Sequence, residues 1–492
     1  RQSLFDYRDR VYEDAWDARY DSAGPVVSDP TFENGAVVQG VDFGRFHQRT
    51  NGIVLKASAT SQITREHNVK AGAEVLVPAV SFGTTEHLRY ASVGGVSQLL
   101  RYEDQPPDFP GVKTYHPLYL SAYGQDQIEW TDLTLRAGLR LDYFDARARV
   151  PSDPGNPANA IAGAPLSHPR RTSVKSSLSP RLGVAYPINE STGLHFAYGH
   201  FYQMPGIGDL FANSDYRILD DLQAGAVSYG TLGNPDIKPE RTVQYEFGFK
   251  HAFTRDFGFD TSFFYKDIRD LIGVEFISMY NAADYARLTN VDFGSVIGFT
   301  VTLDQKDFGL LSTSLDYTWQ RALGNSSDPR ETAVRASAGE DPRPRQVPLN
   351  WDQRHTLNLT ATLARPRVFT VSAVIRAASG QPYTPVLDTG FGAGLEANSG
   401  RKPAGFLVDL RGERPISFGG VSADAFLRIF NLFDTRSFNG FVFNSTGSPY
   451  YSRFPITDAA ILGDASRFYP PRRIEIGIRL GTMATSPEEE DS

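Results

Sequence analysis

The chain has 492 residues, a formal net charge of −8, no cysteine and a mean hydropathy of −0.33. The absence of cysteine excludes cysteine-ligated zinc and cysteine nucleophiles, and the negative charge argues against a nucleic-acid partner held through its phosphates. No run of apolar residues is long enough for a transmembrane helix, so if the protein crosses a membrane it does so with strands.

Apolar and polar residues alternate with a period of two along the chain, which predicts strands with two unlike faces. In the segment 133–143, leucine, alanine and tyrosine share one face, while threonine, arginine, glycine and aspartate share the other. About fifteen such segments are predicted, each close to the ~9–11 residues that cross a bilayer at a tilt. In chain order they lie near 52–63, 68–78, 114–127, 132–146, 176–187, 192–203, 241–253, 257–270, 288–304, 309–321, 354–364, 368–378, 404–414, 421–432 and 472–481. The stretch 206–213 is expected to form one or two helical turns.

The predicted connections alternate in length. Short turns, such as 64–68 and 254–256, alternate with long loops, such as 204–240 and 322–353. A bacterial outer-membrane barrel sorts its connections in this way, with short turns in the periplasm and long loops outside. A soluble propeller with its apolar faces inward is the alternative, but its composition would repeat every ~40–50 residues, and no such repeat is seen. The pattern therefore predicts an all-β, antiparallel transmembrane β-barrel.

The two ends of the chain are assigned by counting strands. Residues 482–492 are predicted to be an acidic periplasmic tail. Counting the strands back from this tail through the alternating loops predicts that 1–50 is an extracellular loop, which precedes the barrel portion 51–481. Because an odd number of strands cannot close an even-numbered antiparallel barrel, we expect an odd number of strands to be missing at the N-terminal end, roughly seven if the whole barrel has about 22. The chain begins with Arg1 and carries no signal peptide, which indicates that a preceding part was removed or that the chain is a fragment.

Several motifs follow one another in a recognisable order. They are LSPRLGVAY at 178–186, FAYGHFYQMP at 196–205, GNPDIKPE at 233–240, FYKDI at 264–268, WDQRHTLN at 351–358, NLFD at 431–434 and PRRIEIGIRL at 471–480. Together they resemble TonB-dependent outer-membrane receptors, most closely the subgroup with an N-terminal carboxypeptidase-like regulatory domain. The resemblance implies a barrel of about 22 strands around a globular plug, with the plug and the TonB-contacting segment preceding residue 1. One departure is Leu480 at the last strand end, where outer-membrane proteins often have an aromatic residue.

Candidate ligand contacts are expected in the long outer loops, which carry function more often than the scaffold does. The loop 204–240 combines acidic and aromatic residues that could hold a sugar or a cationic ligand, and an ordinary solvated loop is the alternative. These residues are Asp209, Tyr216, Arg217, Asp220, Asp221 and Tyr229. Charged strand residues such as Arg136, Arg376 and Asp409 are expected to line the lumen against a plug. The motif 233–240 is interpreted as a structural segment whose glycine and prolines keep the next strand from starting before the outer rim. The segment 351–355 is interpreted as part of an interfacial aromatic girdle or as a rim salt-bridge cluster.

The leading functional hypothesis is import across the bacterial outer membrane under TonB control. The sequence contains no recognisable enzyme constellation, metal-ligand spacing or cofactor motif, so no enzyme activity, metal or cofactor is expected. The solute is expected to be bulky: a siderophore, cobalamin, an oligosaccharide or a peptide. Expected partners are the TonB system, the outer-membrane lipid, a plug domain or further strands, and a surface lipoprotein, with no nucleic acid. The alternatives are a passive porin or structural surface-binding barrel, and a soluble glycan-binding or glycan-degrading β-protein.

Overall fold

The structure of the chain is a computed structural model. It describes residues 2–6, 46–84, 87–93, 96–102, 112–212, 214, 216, 231–281, 284–326, 346–386, 397–418, 421–436, 440–453 and 468–481. Within these residues, none of the helices combines the length and the apolar character that a membrane span requires.

The described residues form one short helix and many strands. The helix is α1 (Ile207–Phe211), inside the stretch predicted to be helical. The strands are β1 (Gln2–Asp6), β2 (Phe46–Gln62), β3 (His67–Thr84), β4 (His87–Val93), β5 (Val96–Tyr102), β6 (Lys113–Tyr115), β7 (Leu118–Trp130), β8 (Leu133–Asp145), β9 (Arg149–Pro151), β10 (Pro169–Arg171), β11 (Lys175–Asn189), β12 (Thr192–Gln203), β13 (Thr231–Leu232), β14 (Glu240–Ala252), β15 (Phe257–Ser278), β16 (Asp284–Phe308), β17 (Leu311–Gly324), β18 (Val347–Pro348), β19 (His355–Arg365), β20 (Phe369–Ala378), β21 (Pro382–Tyr383), β22 (Gly400–Arg401), β23 (Gly405–Phe418), β24 (Val421–Phe430) and β25 (Arg473–Gly481).

The long strands form one antiparallel sheet in which each pairs with the next long strand along the chain. The order runs β2-β3-β7-β8-β11-β12-β14-β15-β16-β17-β19-β20-β23-β24-β25, and these strands coincide with the predicted segments. The short β1 pairs with β2 through Gln2↔Asn51 to Asp6↔His47, so β2 begins at Phe46, within the stretch predicted to be a loop. The prediction of an all-β, antiparallel, barrel-type fold is confirmed.

One hairpin is longer than predicted. β15 and β16 continue to Ser278 and from Asp284, whereas the sequence pattern suggested a loop at 271–287. The register of this pair shifts between Ile268 and Leu271, where Asp270 has a positive φ of 59°. A bulge of this kind interrupts the period of two, and this is why the alternation gives no sign of the outer half of the hairpin.

One face of the sheet is apolar and aromatic. The register aligns Phe196, Phe247, Phe263, Phe299 and Trp319 across five consecutive long strands, with ring centroids 5.9 Å apart for Phe263–Phe299 and 5.8 Å for Phe299–Trp319. Phe247 and Phe263 remain 49% and 55% exposed. Aromatic rings that stay uncovered in a row on one face are typical of the lipid-facing surface of an outer-membrane barrel.

The opposite face carries charge of both signs. Ion pairs on this face join Lys56 to Glu74 at 3.2 Å, Arg428 to Glu475 at 3.8 Å, and Arg411 to Glu413. Arg136, Arg376 and Asp409 lie on the same face by strand alternation, and a hydrated lumen favours this composition.

A small core closes the long-loop end of the sheet near β8, β15 and β16. It contains Phe144, Leu210, Phe211, Ile237 and Leu288, all buried. The ring of Tyr115 stacks on Phe211 with centroids 4.1 Å apart. Apolar side chains from α1, the 233–240 motif and the outer half of the β15–β16 hairpin therefore lock the outer connections to the wall.

Candidate ligand site at the outer mouth

The structure describes two of the six loop residues predicted to contact ligand. Asp209 lies in α1, is half-buried, and its carbonyl oxygen accepts the N–H of Asn234 at 2.9 Å. Tyr216 is buried, with 2% of its surface exposed. Arg217, Asp220, Asp221 and Tyr229 lie outside the described residues, as do all residues from 217 to 230.

Tyr216 packs into the wall of the mouth. Its ring meets that of Tyr285 edge-on at 6.1 Å, and its hydroxyl accepts a hydrogen bond from Arg287 at 3.5 Å. Arg287 in turn pairs with Glu275 at 2.6 Å. Burial raises the pKa of Tyr285 well above its usual value, so the Tyr285 phenol stays neutral at physiological pH. Among the described residues no hydrogen bond joins Asp209 to Tyr216: Asp209 contacts the 233–240 motif and Tyr216 contacts the β15–β16 hairpin, so the two do not form one ligand-binding cluster.

An ion cluster fastens the 233–240 motif to the neighbouring loop. Asp236 accepts Lys175 Nζ at 2.6 Å, Arg170 Nη1 at 3.0 Å, and both the N–H and the hydroxyl of Ser173 at 2.8 and 2.7 Å. Burial alone would raise the pKa of Asp236, but the hydrogen bonds outweigh it and hold the pKa at about 2. Asn234 adds a bond from its side-chain nitrogen to the Leu288 carbonyl at 3.0 Å. These contacts agree with a structural role for the motif 233–240 at the rim.

A cavity of the described surface lies on the charged face, at the long-loop ends of β19, β20, β23 and β25. Its volume is about 770 Å³, within the range of small-molecule sites. Its charged lining residues are Arg376, Lys402, Arg473 and Asp409. The polar residues Gln353, Asn358, Gln381 and Asn431 and the aromatic residues Phe406, Phe430 and Tyr469 complete much of the lining. We call this cavity the mouth pocket.

The charges of the mouth pocket do not balance. Arg376 Nη1 lies 3.9 Å from Asp409 Oδ2, and Asp409 Oδ1 also accepts the backbone N–H of Asn431 at 2.9 Å. Lys402 Nζ donates to the Gly440 carbonyl at 2.7 Å, and burial lowers the pKa of Lys402 below its usual value. Arg473 lies over the Phe430 ring, 4.4 Å from its centroid. Arg473 Nε also lies 3.2 Å from Glu475, so Arg376 and Lys402 remain against Asp409 in the lining. This smaller excess of positive charge favours a ligand that carries negative charge.

A buried carboxylate anchors the edge of the pocket. Asp352 has no exposed surface and accepts the Ala322 N–H at 2.8 Å, Arg354 Nε at 3.1 Å and Arg401 Nη2 at 2.5 Å. Burial would raise its pKa, but these bonds outweigh burial and lower the pKa below the ordinary value. Gln353 and Lys402, which follow the anchored residues, are thereby positioned in the pocket lining. The cluster agrees with the interpretation of 351–355 as a rim salt-bridge cluster.

Sequence reasoning missed the mouth pocket as a site. Arg376 and Asp409 were expected on the lumen face, but nothing in the local pattern shows that residues from 353, 402 and 469 meet them. No group of three or more histidine, aspartate or glutamate side chains is arranged to hold a metal ion in the part of the chain that the structure describes.

A family model described as TonB dependent receptor-like, beta-barrel, matches residues 2–432. The fold is similar to that of the outer membrane transporter YddB from Escherichia coli, with a TM-score of 0.59 and 11% identity over 89% of this chain and 55% of that chain. It is also similar to the copper transporter OprC, with a TM-score of 0.53 and 15% identity over 89% and 57% of the two chains.

A third similar structure is the pyoverdine outer membrane receptor FpvA from Pseudomonas aeruginosa PAO1, with a TM-score of 0.54 and 12% identity over 91% and 54% of the two chains. At these identities the structures show a shared fold, and the chain spans about half the length of each of them. A search of the curated proteins finds no significant match.

Proposed function

Since this chain belongs to the TonB-dependent receptor-like β-barrel family, whose members are receptors and transporters of the bacterial outer membrane, we propose that the whole protein imports a bulky solute under TonB control. The solved proteins of similar fold include a copper transporter and a pyoverdine receptor. Import by this protein would need the TonB system, and a plug domain that gates the lumen.

The observation that carries the proposal is the mouth pocket. It lies where the charged lumen face meets the long connections, so a solute arriving from outside would encounter it first. Its excess of cations and its aromatic lining suit a solute with carboxylate or other acidic groups on a partly apolar frame, because arginine binds such groups through paired hydrogen bonds. Asp209, Arg217, Asp220, Asp221 and Tyr229 of the connection 204–240 are proposed as further ligand contacts, while Tyr216 is buried and is proposed to have a supporting role.

Whole-cell uptake tests the proposal directly. Cells that express the full-length protein would be given labelled ferric siderophore, cobalamin, oligosaccharide and peptide in turn, in backgrounds with and without TonB. We expect one class to accumulate only when both the protein and TonB are present. Equal accumulation without TonB, together with steady ion conductance in planar bilayers, would instead show a passive porin.

A pair of matched variants tests the pocket. Arg376→Gln removes a pocket cation, and Arg365→Gln changes an arginine at the short-turn end of the adjacent strand β19. Losing a charge-assisted hydrogen bond should weaken binding of the imported solute about tenfold or more in Arg376→Gln and leave it unchanged in Arg365→Gln. Wild-type affinity in Arg376→Gln would show that the solute is held elsewhere.

A further inference from the structure

Two arginines face each other on the apolar surface of the sheet. Arg241 of β14 and Arg269 of β15 are direct partners in the antiparallel ladder. Tyr245 and Tyr265 form another pair of the same ladder, four residues along each strand, so strand alternation places all four side chains on the lipid-facing surface. Like charges directly opposite each other destabilise a sheet, so this arrangement calls for a compensating group.

The arginine pair lies at the level of the lipid headgroups. At the short-turn end of the hairpin, the rings of Phe253 and Phe257 stack with centroids 5.1 Å apart. Arg269 lies twelve residues along β15 from Phe257. At ~3.4 Å per residue and a tilt of ~45°, this separation spans about 29 Å across the membrane, close to the ~30 Å thickness of the hydrocarbon core. Because short turns are periplasmic, the pair belongs to the outer leaflet.

The protein balances only part of this charge. Arg269 Nε pairs with Asp267 at 2.9 Å, and its guanidinium lies 5.7 Å from the centroid of the Phe293 ring. Arg241 Nε is buried and has no hydrogen-bond partner in the described part of the protein. Glu240 precedes Arg241 in the strand and therefore projects to the opposite face. The pair therefore sets two positive charges against the carboxylate of Asp267. Arg241 as a whole is only half-buried, so an acceptor from outside the chain can reach the nitrogens of its guanidinium other than Nε.

We propose that Arg241 and Arg269 together bind the phosphate of a phosphorylated glycolipid headgroup in the outer leaflet. Guanidinium groups bind phosphate oxygens through paired, charge-assisted hydrogen bonds, and one phosphate between the two arginines relieves their repulsion. A lipid fits better than free phosphate because the surface on the membrane side is apolar. Tyr245 and Tyr265, 44% and 42% exposed, would lie against the acyl chains of the same molecule.

Native mass spectrometry of the full protein in detergent tests the site. The probes are bis-phosphorylated lipid A, the same lipid without its phosphates, and inorganic phosphate. We expect the wild type to retain the phosphorylated lipid. The double variant Arg241→Gln/Arg269→Gln should bind this lipid with an affinity lower by about tenfold or more. Arg255→Gln, in the periplasmic turn of the same hairpin, is the matched control and should retain the lipid as the wild type does.

A second double variant separates binding from folding. Arg241→Lys/Arg269→Lys keeps the charge but loses the paired geometry, so it should fold and bind with intermediate strength. Undiminished lipid retention in both double variants would overturn the proposal, as would equal binding of the dephosphorylated lipid. Inorganic phosphate that binds as tightly as the lipid would also overturn it, because the site would then recognise the free ion.

Discussion

Removing the charge of Asp236 should release the loop that contains β9 and β10 from the 233–240 motif. The carboxylate accepts bonds from Lys175, Arg170 and Ser173, the shortest of them 2.6 Å, and its side chain is 16% exposed. Its pKa is about 2, against an ordinary value of 3.8. This difference of almost two pKa units corresponds to about 2–3 kcal/mol in favour of the charged, bonded form, and therefore to roughly 60-fold in the equilibrium between the closed and open loop. Asp236→Asn should lose most of this stabilisation.

Amide hydrogen exchange of residues 149–175, measured by mass spectrometry on the full protein, reports this opening directly. We expect faster exchange in Asp236→Asn, while Asp132→Asn in a periplasmic turn leaves these amides unchanged. Because the folded pKa is depressed, the stabilisation is complete above pH 3.8 and is lost as the pH falls towards 2. Exchange corrected for its intrinsic pH dependence should rise in that window in the wild type alone. Equal protection of this loop in Asp236→Asn and the wild type would refute the reasoning.

Three further substitutions test other parts of the molecule. Asp352→Asn removes a buried carboxylate whose two arginine partners are partly exposed, and should destabilise the rim by about 1–3 kcal/mol, seen as faster exchange around the mouth pocket. Gly298→Ala forces a Cβ to within 2.5 Å of a backbone oxygen, so urea unfolding in lipid vesicles should show a loss of about 1–3 kcal/mol. Gly412→Ala, whose Cβ meets no atom within 4 Å, is its control and should unfold as the wild type does. Phe299→Lys on the lipid face should cost about 2–4 kcal/mol by the same assay, clearly more than Thr300→Lys on the lumen face.

The strands were predictable because a wall between lipid and water imposes a period of two wherever the ladder is regular. β14 is an example, since its apolar residues from Val243 to Phe249 fall on one face without interruption. The outer half of the β15–β16 hairpin was not predictable for the same reason, because the bulge at Ile268–Leu271 changes which face each later residue occupies. Turn residues such as Asp270 reveal a bulge only once the partner strand is known.

The mouth pocket could not be predicted from the sequence for a different reason. Alternation tells which face a residue occupies, but a slip of two residues between strands leaves every face unchanged. In the observed register Val374 is opposite Asp409, so Arg376 is the diagonal neighbour of that carboxylate. A slip of two would leave Arg376 and Asp409 on the lumen face but change their spacing, placing them directly opposite each other in one direction and farther apart in the other. Register is set by pairing along the whole strand and by its turns, so which residues meet in a site on the barrel wall depends on distant parts of the chain. The local sequence predicts only which residues face the lumen.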